Sequence, residues 1–383
     1  MIQRLNIDLG NSLTSAMING SPDILEFPTA LVPITKEQAE DYFPDTVDKA
    51  KFRDSIMIEY DRKIYLIGNA ARRKLGNDLH IGHDLHNKST SIVPYIMFLG
   101  VVATYIVENE MNENEISIDY FSTMLPIFEL RQAIRFADKL NDMAKRFSGS
   151  HQFRILTTGH ERDITINIHD SRCYAEGFVA KYAMQYGFDL QPNVNAGKFL
   201  EDYVINVDIG GGTIDMVRLG PGLAKPTSRD DFKTITDAPY LGMIKELREG
   251  LLRPYFKSSR ELELFIVKNY ETAKYEWING KTGETESLKT IIEQALKEYV
   301  STFMPIVLES YPVLPDGLMY RYNYFGGVAP ILRNAIHSYL REQFSESIVS
   351  RHHIEPNETS RYLNLYGLEI VSRQNTIALK VEK

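Results

Sequence analysis

Tyr203-Val204-Ile205-Asn206-Val207-Asp208-Ile209-Gly210-Gly211-Gly212-Thr213-Ile214-Asp215-Met216-Val217 reads as an apolar strand, a tight glycine turn and a second apolar strand. Alternating Val and Ile bounded by glycine is a hairpin signal. Three successive glycines exceed what a turn needs. They expose a row of backbone N–H groups that no side chain screens from a phosphate chain. Asp208 stands at the end of the first strand, where a carboxylate can hold hydrated Mg²⁺ beside such phosphates. An ordinary glycine-rich hairpin without a ligand is the plainer reading of the same residues.

The N-terminus repeats the pattern. Met1-Ile2-Gln3-Arg4-Leu5-Asn6-Ile7-Asp8-Leu9-Gly10-Asn11-Ser12 is again an apolar strand, Asp, an apolar residue, Gly and a small polar turn, and Leu13 to Ile18 returns. Two Asp-apolar-Gly hairpins, one in each half, suggest a duplicated fold that clasps a nucleotide's phosphates from both sides. These stretches resemble the two phosphate motifs of the actin-like ATPase superfamily, which includes actins, bacterial filament proteins, sugar kinases and heat-shock chaperones. The resemblance implies an α/β fold of two duplicated domains around a nucleotide cleft, each a mixed sheet with helices and a smaller inserted subdomain. It implies ATP or ADP with Mg²⁺ as cofactor. Gly10, Asn11, Ser12, Gly210, Gly211, Gly212 and Thr213 would cradle the phosphates, and Asp8 and Asp208 would hold the metal, largely through water. Asp215 would serve either the metal's outer shell or the turn itself.

The bulk properties set limits. At 383 residues there is room for two domains with sizeable cores. A content of 43% hydrophobic and 25% charged residues is that of an ordinary globular protein. The net charge of −8 disfavours broad electrostatic binding to DNA or anionic membranes. The single cysteine, Cys173, excludes an internal disulfide framework and fits a reducing cytoplasm. Strand 1 begins almost at once, so no secretory signal peptide is expected. Ser89 to Val107 is uncharged but contains Pro94, Gly100 and Thr104, which predicts a buried helix capped by Ser89 or Ser91 rather than a membrane span.

The expected division is a domain I over 1–187, with an insertion at roughly 21–88, and a domain II over 188–367, with an insertion at roughly 225–300. Residues 368–383 would form a C-terminal segment returning to domain I. In the first insertion, Ser55 to Gly68 reads as strand, turn and strand, followed by a helix from Asn69 to Leu75. His80, His83 and His86 recur every three residues and could ligate a metal, although Gly82 and the lack of a second cluster favour a surface loop. Beyond the buried helix come a strand over Glu115–Pro126, an amphipathic helix over Glu129–Phe147 and two strands within Gln152–Ile168. A helix is predicted over Ser171–Met184, with Glu176 in its first turn. An acid there complements the helix dipole. By resemblance to the family's first connecting motif, Glu176 would instead orient or deprotonate the water that attacks the γ-phosphate. Ala175 stands where that motif often has proline.

In the second half, Lys233–Thr236 continues a strand and Met243–Leu252 forms a helix. Lys268 to Trp277 reads as a helix that sets Glu271 and Lys274 at i,i+3, either as a solvated ion pair or, by resemblance, lining an adenosine pocket. Asn279–Gly283 is a hairpin turn without the upstream glycine of a P-loop. Leu288–Leu308 is an amphipathic helix interrupted near Pro305. Gly317 to Pro330 is an aromatic strand feeding Gly326-Gly327 and a helix with Pro330 near its start. It resembles the adenosine motif, in which the two glycines let base and ribose approach the backbone. Asn357 to Gly367 resembles the second connecting helix, ending in glycine and packing on the first. Gln374 to Val381 reads as a short strand.

The branches of the superfamily separate on what is missing. Chaperones need a substrate-binding domain after the ATPase, one sugar-kinase branch carries a cysteine-rich zinc motif, and cell-division relatives end in an amphipathic membrane helix. The compact chain most resembles the bacterial ParM-type filament proteins that segregate plasmids. That resemblance implies a cytoplasmic ATPase that polymerises on itself with ATP, disassembles after hydrolysis and reaches DNA through an adaptor, with no membrane contact. GTP use stays open. The alternatives are a small-molecule (sugar-type) kinase, or a nucleotide-dependent scaffold with negligible turnover.

Overall fold

The computed structural model describes residues 1–42, 45–75 and 87–381. The chain divides into two compact units, Met1–Asn193 with Asn364–Lys383, and Val194–Leu363.

The first unit is built on a nine-stranded sheet. Its strands are β1 (Ile2–Leu9), β2 (Leu13–Ile18), β3 (Leu25–Pro28), β4 (Leu31–Ile34), β5 (Met57–Tyr60), β6 (Lys63–Ile67), β7 (Glu115–Leu125), β8 (Gly149–Ile155) and β9 (Arg162–Ala175). They lie in the order β3-β2-β1-β7-β9-β8-β5-β6-β4. β1 is antiparallel to β2 and parallel to β7, and β7 is parallel to β9. β5 pairs with β8, so the strands between residues 31 and 67 continue the main sheet. They also have a small core of their own, in which Val32, Ile34, Met57 and Leu66 pack with Ala70 and Ala71.

The helix Ile92–Glu108 fills one side of this unit. The Ser91 hydroxyl accepts the Val93 N–H at 3.2 Å and caps it. Its sequence is apolar on every face, and residues 93–104 are buried throughout. Gly100 permits that fit, since a Cβ there would lie 3.2 Å from the Ile67 side chain. Among the described residues no helix is long and apolar enough to cross a membrane.

The second unit repeats the scheme. Its strands are β10 (Val204–Ile209), β11 (Ile214–Leu219), β12 (Phe232–Ile235), a ribbon of β13 (Glu276–Ile278) with β14 (Thr285–Ser287), β15 (Arg321–Phe325) and β16 (His352–Ile354). The main sheet runs β12-β11-β10-β15-β16. β12, β11 and β10 are antiparallel neighbours, and β10, β15 and β16 are parallel. The run β3-β2-β1-β7-β9 has the same directions in the same order. The duplication seen in two short motifs is therefore a duplication of five strands. The helices Tyr240–Glu249, Ser259–Asn269, Lys289–Glu309 and Ala329–Gln343 bury Ile244, Ile266, Phe303 and Leu332 in this unit's core.

Several elements differ from the sequence reading. Glu129–Phe147 is two helices, Ile127–Gln132 and Phe136–Phe147, because Ala133 takes an extended backbone. The helix Lys289–Glu309 runs through Pro305 without a break. Gln374–Val381 is not a strand but the end of a long helix, Leu363–Val381. Gly367 lies inside this helix rather than closing one. A Cβ there would sit 2.1 Å from the Val179 carbonyl oxygen, so glycine is what lets the helix press against residues 179–180.

Candidate functional site

Asp8 is the penultimate residue of β1 and lies opposite Ser15 on β2. Two residues earlier, Asn6 is fully buried. Its Nδ2 donates to Glu369 Oε2 at 2.6 Å, and its Oδ1 accepts the Ser122 hydroxyl at 2.6 Å. Buried polar groups demand such partners, and these fix the end of β1 against β7. The turn after Asp8 is held through its carbonyls. The Thr29 hydroxyl donates to Gly10 O at 2.7 Å, the Thr29 N–H donates to Ser12 O at 3.1 Å, and Arg72 Nη2 reaches Ser12 O at 3.3 Å. A Cβ on Gly10 would meet the Leu13 carbonyl oxygen at 2.6 Å.

Asp208 occupies the corresponding place on β10, opposite Asp215 on β11 and beside Phe325 on β15. The Gly210 N–H donates to Thr213 O at 3.0 Å, and the Leu241 N–H donates to Gly211 O at 2.9 Å. Gly326 has a φ of +94°, and a Cβ on it would lie 2.3 Å from Asp208 Oδ1 and 2.7 Å from Ile209 O. Its N–H donates to Ser360 O, and its carbonyl accepts the Ser360 hydroxyl, both at 3.0 Å. The turn resembling the adenosine motif is thus packed directly on the aspartate of the phosphate-type turn. Each aspartate offers a hard oxygen donor at a strand end, and at Asp208 a glycine, Gly326, leaves room for it. That donor chemistry suits Mg²⁺, which takes one or two carboxylates and keeps its waters.

Glu176 is not in the first turn of a helix. β9 continues to Ala175, with Cys173, Tyr174 and Ala175 paired to Thr123, Met124 and Leu125. The Glu176 N–H donates to Leu125 O at 2.9 Å. Gly177 then turns the chain at φ +74° and donates its N–H to Asn364 Oδ1 at 3.1 Å, and the helix starts only at Ala180. Pairing with β7 overrides the local helix preference of these residues.

Lys88, a residue without any signal in the sequence reading, faces Glu176. Its Nζ lies 2.6 Å from Glu176 Oε1, and the two side chains are 4% and 16% exposed. Burial alone would push the ammonium's pKa down. The nearby Glu176 and Asp8 carboxylates outweigh that effect and hold the pKa above the ordinary lysine value. The backbone around Lys88 is pinned from two sides. Arg146 donates to the carbonyls of Lys88 at 3.1 Å, Ser89 at 3.2 Å and Ser91. The buried Glu129 accepts the Ser89 N–H at 3.0 Å and the Ser89 hydroxyl. Cys173, next to this group, has its thiol pKa pushed well up by burial, with the Glu176 and Glu129 charges adding to it.

Glu271 and Lys274 do not share a helix face. The helix ends at Asn269, and Ala273 takes a φ of +49° that no helix accommodates. Glu271 accepts from Asn357 Nδ2 and, at 3.2 Å, from the Tyr270 hydroxyl. Burial, then the Glu271 charge, raise the Tyr270 hydroxyl to about 12. Glu271 therefore braces a turn, and the i,i+3 spacing has no meaning there. His80, His83 and His86 lie outside the described residues. Among those described, no group of three or more His, Cys, Asp or Glu is arranged to hold a metal.

A family model described as the actin-like proteins' N-terminal domain matches residues 6–178, and one described as the Alp7A C-terminal domain matches residues 203–359. No curated protein matches the chain significantly. The crystal structure of the actin-like protein Alp7A is similar at 36% identity and a TM-score of 0.91, covering 100% of this chain and 98% of that one. ParM of Bacillus thuringiensis with ATP shares the fold at 16% identity and a TM-score of 0.66, covering 98% of this chain and 99% of that one. The 15-stranded ParM filament of Clostridium botulinum does so at 17% identity and a TM-score of 0.66, covering 98% and 100%.

Proposed function

We propose, from the premise that this chain belongs to the actin-like protein family of Alp7A, that it is an ATPase that polymerises with ATP and disassembles after hydrolysis. The observation that carries the reading is the pair of Asp-apolar-Gly hairpins, one at the same place in each of two sheets that share a run of five strands in the same order and directions. A kinase or a scaffold of the same fold would carry them too. The likeness over the full length to Alp7A, described as actin-like, and the solved ParM filament of the same fold favour self-assembly.

In this proposal the turns Gly10–Ser12 and Gly210–Thr213 hold phosphate oxygens through their backbone amides, the Gly210 N–H excepted because it donates to Thr213 O, and Asp8 and Asp208 hold Mg²⁺, partly through water. The metal, when bound, screens the phosphate charge. Glu176 orders the attacking water and accepts its proton as the oxygen attacks phosphorus. Gly326 and Gly327 seat the nucleoside. Nucleotide state then biases the contacts between copies, because only a differential interaction can shift an assembly equilibrium. The net charge of −8 supports an adaptor between the filament and its DNA cargo, which we take to be a plasmid in the cytoplasm.

Light scattering and pelleting in Mg-ATP, Mg-ADP and a non-hydrolysable analogue, with phosphate release followed alongside, test the reading. Scattering that rises with ATP and decays as phosphate appears supports it. Turnover without assembly, and only when a metabolite is added, would replace it with the kinase. Glu176→Ala should bind ATP normally, hydrolyse it about 10²–10⁴-fold more slowly, and form longer-lived filaments. An unchanged rate of phosphate release removes Glu176 from the mechanism.

A further inference from the structure

We propose that Lys88 is the positioning residue of Glu176, held to that task by Arg146 and Glu129. The inference rests on the reading of Glu176 as the group that orders the attacking water. Lysine is almost never fully buried without a partner, and this one is buried with a single carboxylate at 2.6 Å. Glu176 needs such a partner. It stands between the end of β9 and Gly177 at φ +74°, a turn that constrains its backbone but not its carboxylate. The ammonium takes Oε1, which sets the carboxylate plane and hence the direction of Oε2, the oxygen we assign to water.

The surroundings of Lys88 point the same way. Asn87 to Ser91 offers little apolar surface to anchor it, yet Arg146 clasps three of its carbonyls and Glu129 takes two donors from Ser89. Lys139 lies 3.5 Å from Glu129 and balances its charge. Two buried or half-buried charged side chains are thus committed to the path of one short segment. An apolar pair would fill the same volume as Lys88 and Glu176 at little cost in stability, since replacing a whole buried ion pair is often neutral. Space filling alone does not call for this arrangement. Positioning does, because a misplacement of about 1 Å at a reacting group costs on the order of 10²-fold in rate.

The test uses the full chain. Steady-state ATP hydrolysis and binding of a fluorescent ATP analogue are measured for wild type, Lys88→Met, Lys88→Arg, Glu176→Gln and the Lys88→Met/Glu176→Gln double variant. Lys88→Met should lower kcat about 10²-fold with analogue Kd within about threefold of wild type. Lys88→Arg keeps the charge in a different shape and should recover to within about tenfold of wild type. The double variant should be no slower than Glu176→Gln, because Lys88 acts only through that carboxylate. Lys88→Met at the wild-type rate overturns the inference while leaving Glu176 its role. A loss that multiplies with that of Glu176→Gln overturns it too, as does a loss confined to Kd, which would make Lys88 a phosphate ligand. Equal rates for wild type and Glu176→Gln sink the underlying reading and the inference together. Should Lys88→Met fail to fold, Lys88→Arg decides alone, with kcat five- to tenfold down at unchanged melting temperature as the supporting result and unchanged kcat as the overturning one.

Discussion

The turn after Asp8 and the turn after Asp208 share a sequence pattern and a place in the sheet, yet they are braced by different means. Around Asp8 the bracing comes from side chains. Thr29 and Arg72 hold the turn's carbonyls, Asn6 is tied to the fully buried Glu369, and Glu369 is also paired with Arg4 at 3.2 Å and Arg373 at 2.6 Å. Around Asp208 backbone packs on backbone, with Gly326 against Ile209 and Ser360, and Gly211 against Leu241. A duplicated motif therefore keeps its strands and hairpin and changes what surrounds them. The first copy depends on charged side chains, and in the second the close approach of Gly326 to Asp208 leaves the least volume. Glu176 and Lys88, the residues we assign to water activation, also belong to the first unit.

The largest effect is expected where volume is most restricted. Gly326→Ala puts a methyl group 2.3 Å from Asp208 Oδ1 and 2.7 Å from Ile209 O, on a backbone at φ +94°. Overpacking and the left-handed conformation together should cost about 4 kcal/mol of unit 2 stability. The single tryptophan, Trp277, lies in this unit, so its fluorescence during denaturation reads the second unit directly. A midpoint that does not move would mean that the β15 turn can retreat from Asp208, and the packing half of the contrast would be lost.

Acid offers a second, smaller probe. Both units contain a Tyr–His hydrogen bond, Tyr95 with His151 at 2.7 Å and Tyr324 with His352 at 2.9 Å. Burial lowers both imidazoles, and it takes His352 from 6.5 to about 4, aided by the charge of Arg351. A histidine whose pKa falls on folding binds its proton more readily in the unfolded chain. Its contribution is complete above pH 6.5 and is lost as the pH falls towards 4. Between pH 6.5 and 5 the loss should amount to about 2 kcal/mol in the second unit. His352→Gln should remove that part of the pH dependence, again followed through Trp277. Equal acid slopes for wild type and variant would show that His352 is protonated without cost in the folded state.

These contrasts were only partly legible in the sequence. The hairpins at Asp8 and Asp208 were readable because a Val/Ile alternation stopped by glycine is a local signal, and Gly326-Gly327 before Pro330 is another. Glu176 was singled out by its motif but set in a helix, since Ala, Phe, Val and Met favour one locally. The ladder to β7, some 50 residues away, decides otherwise. The helix reading of Glu271 and Lys274 erred for the opposite reason, as their spacing looked helical and the chain had already turned at Tyr270–Ala273. Gln374 to Val381 read as a short strand, where the helix from Leu363 simply continues. Lys88 could not be found at all. Its partner is 88 residues away, and nothing in Asn87-Lys88-Ser89 separates a buried cation from a surface one.

The finest test compares the two first glycines of the turns, because they hold the same position in the pattern. A Cβ on Gly10 would lie 2.6 Å from the Leu13 carbonyl oxygen, whereas one on Gly210 would lie 3.2 Å from that of Thr213. Neither glycine has a positive φ, so the difference is one of space and not of backbone conformation. A contact of 3.2 Å is relieved by a shift of a few tenths of an ångström, and at 2.6 Å the carbonyl itself must move. At Gly10 such a shift works against the Thr29 hydroxyl on its own carbonyl and the strand pairing of Leu9 with Thr14. Gly10→Ala should therefore cost about 2 kcal/mol and Gly210→Ala less than about 1 kcal/mol, the difference falling within the range for overpacking by one methyl group. If the turns do cradle phosphate, the same order should appear in nucleotide affinity, with Gly10→Ala the weaker binder. An inverted order, with Gly210→Ala the more damaging, would mean that the three-glycine turn meets a ligand more closely than it meets its own chain.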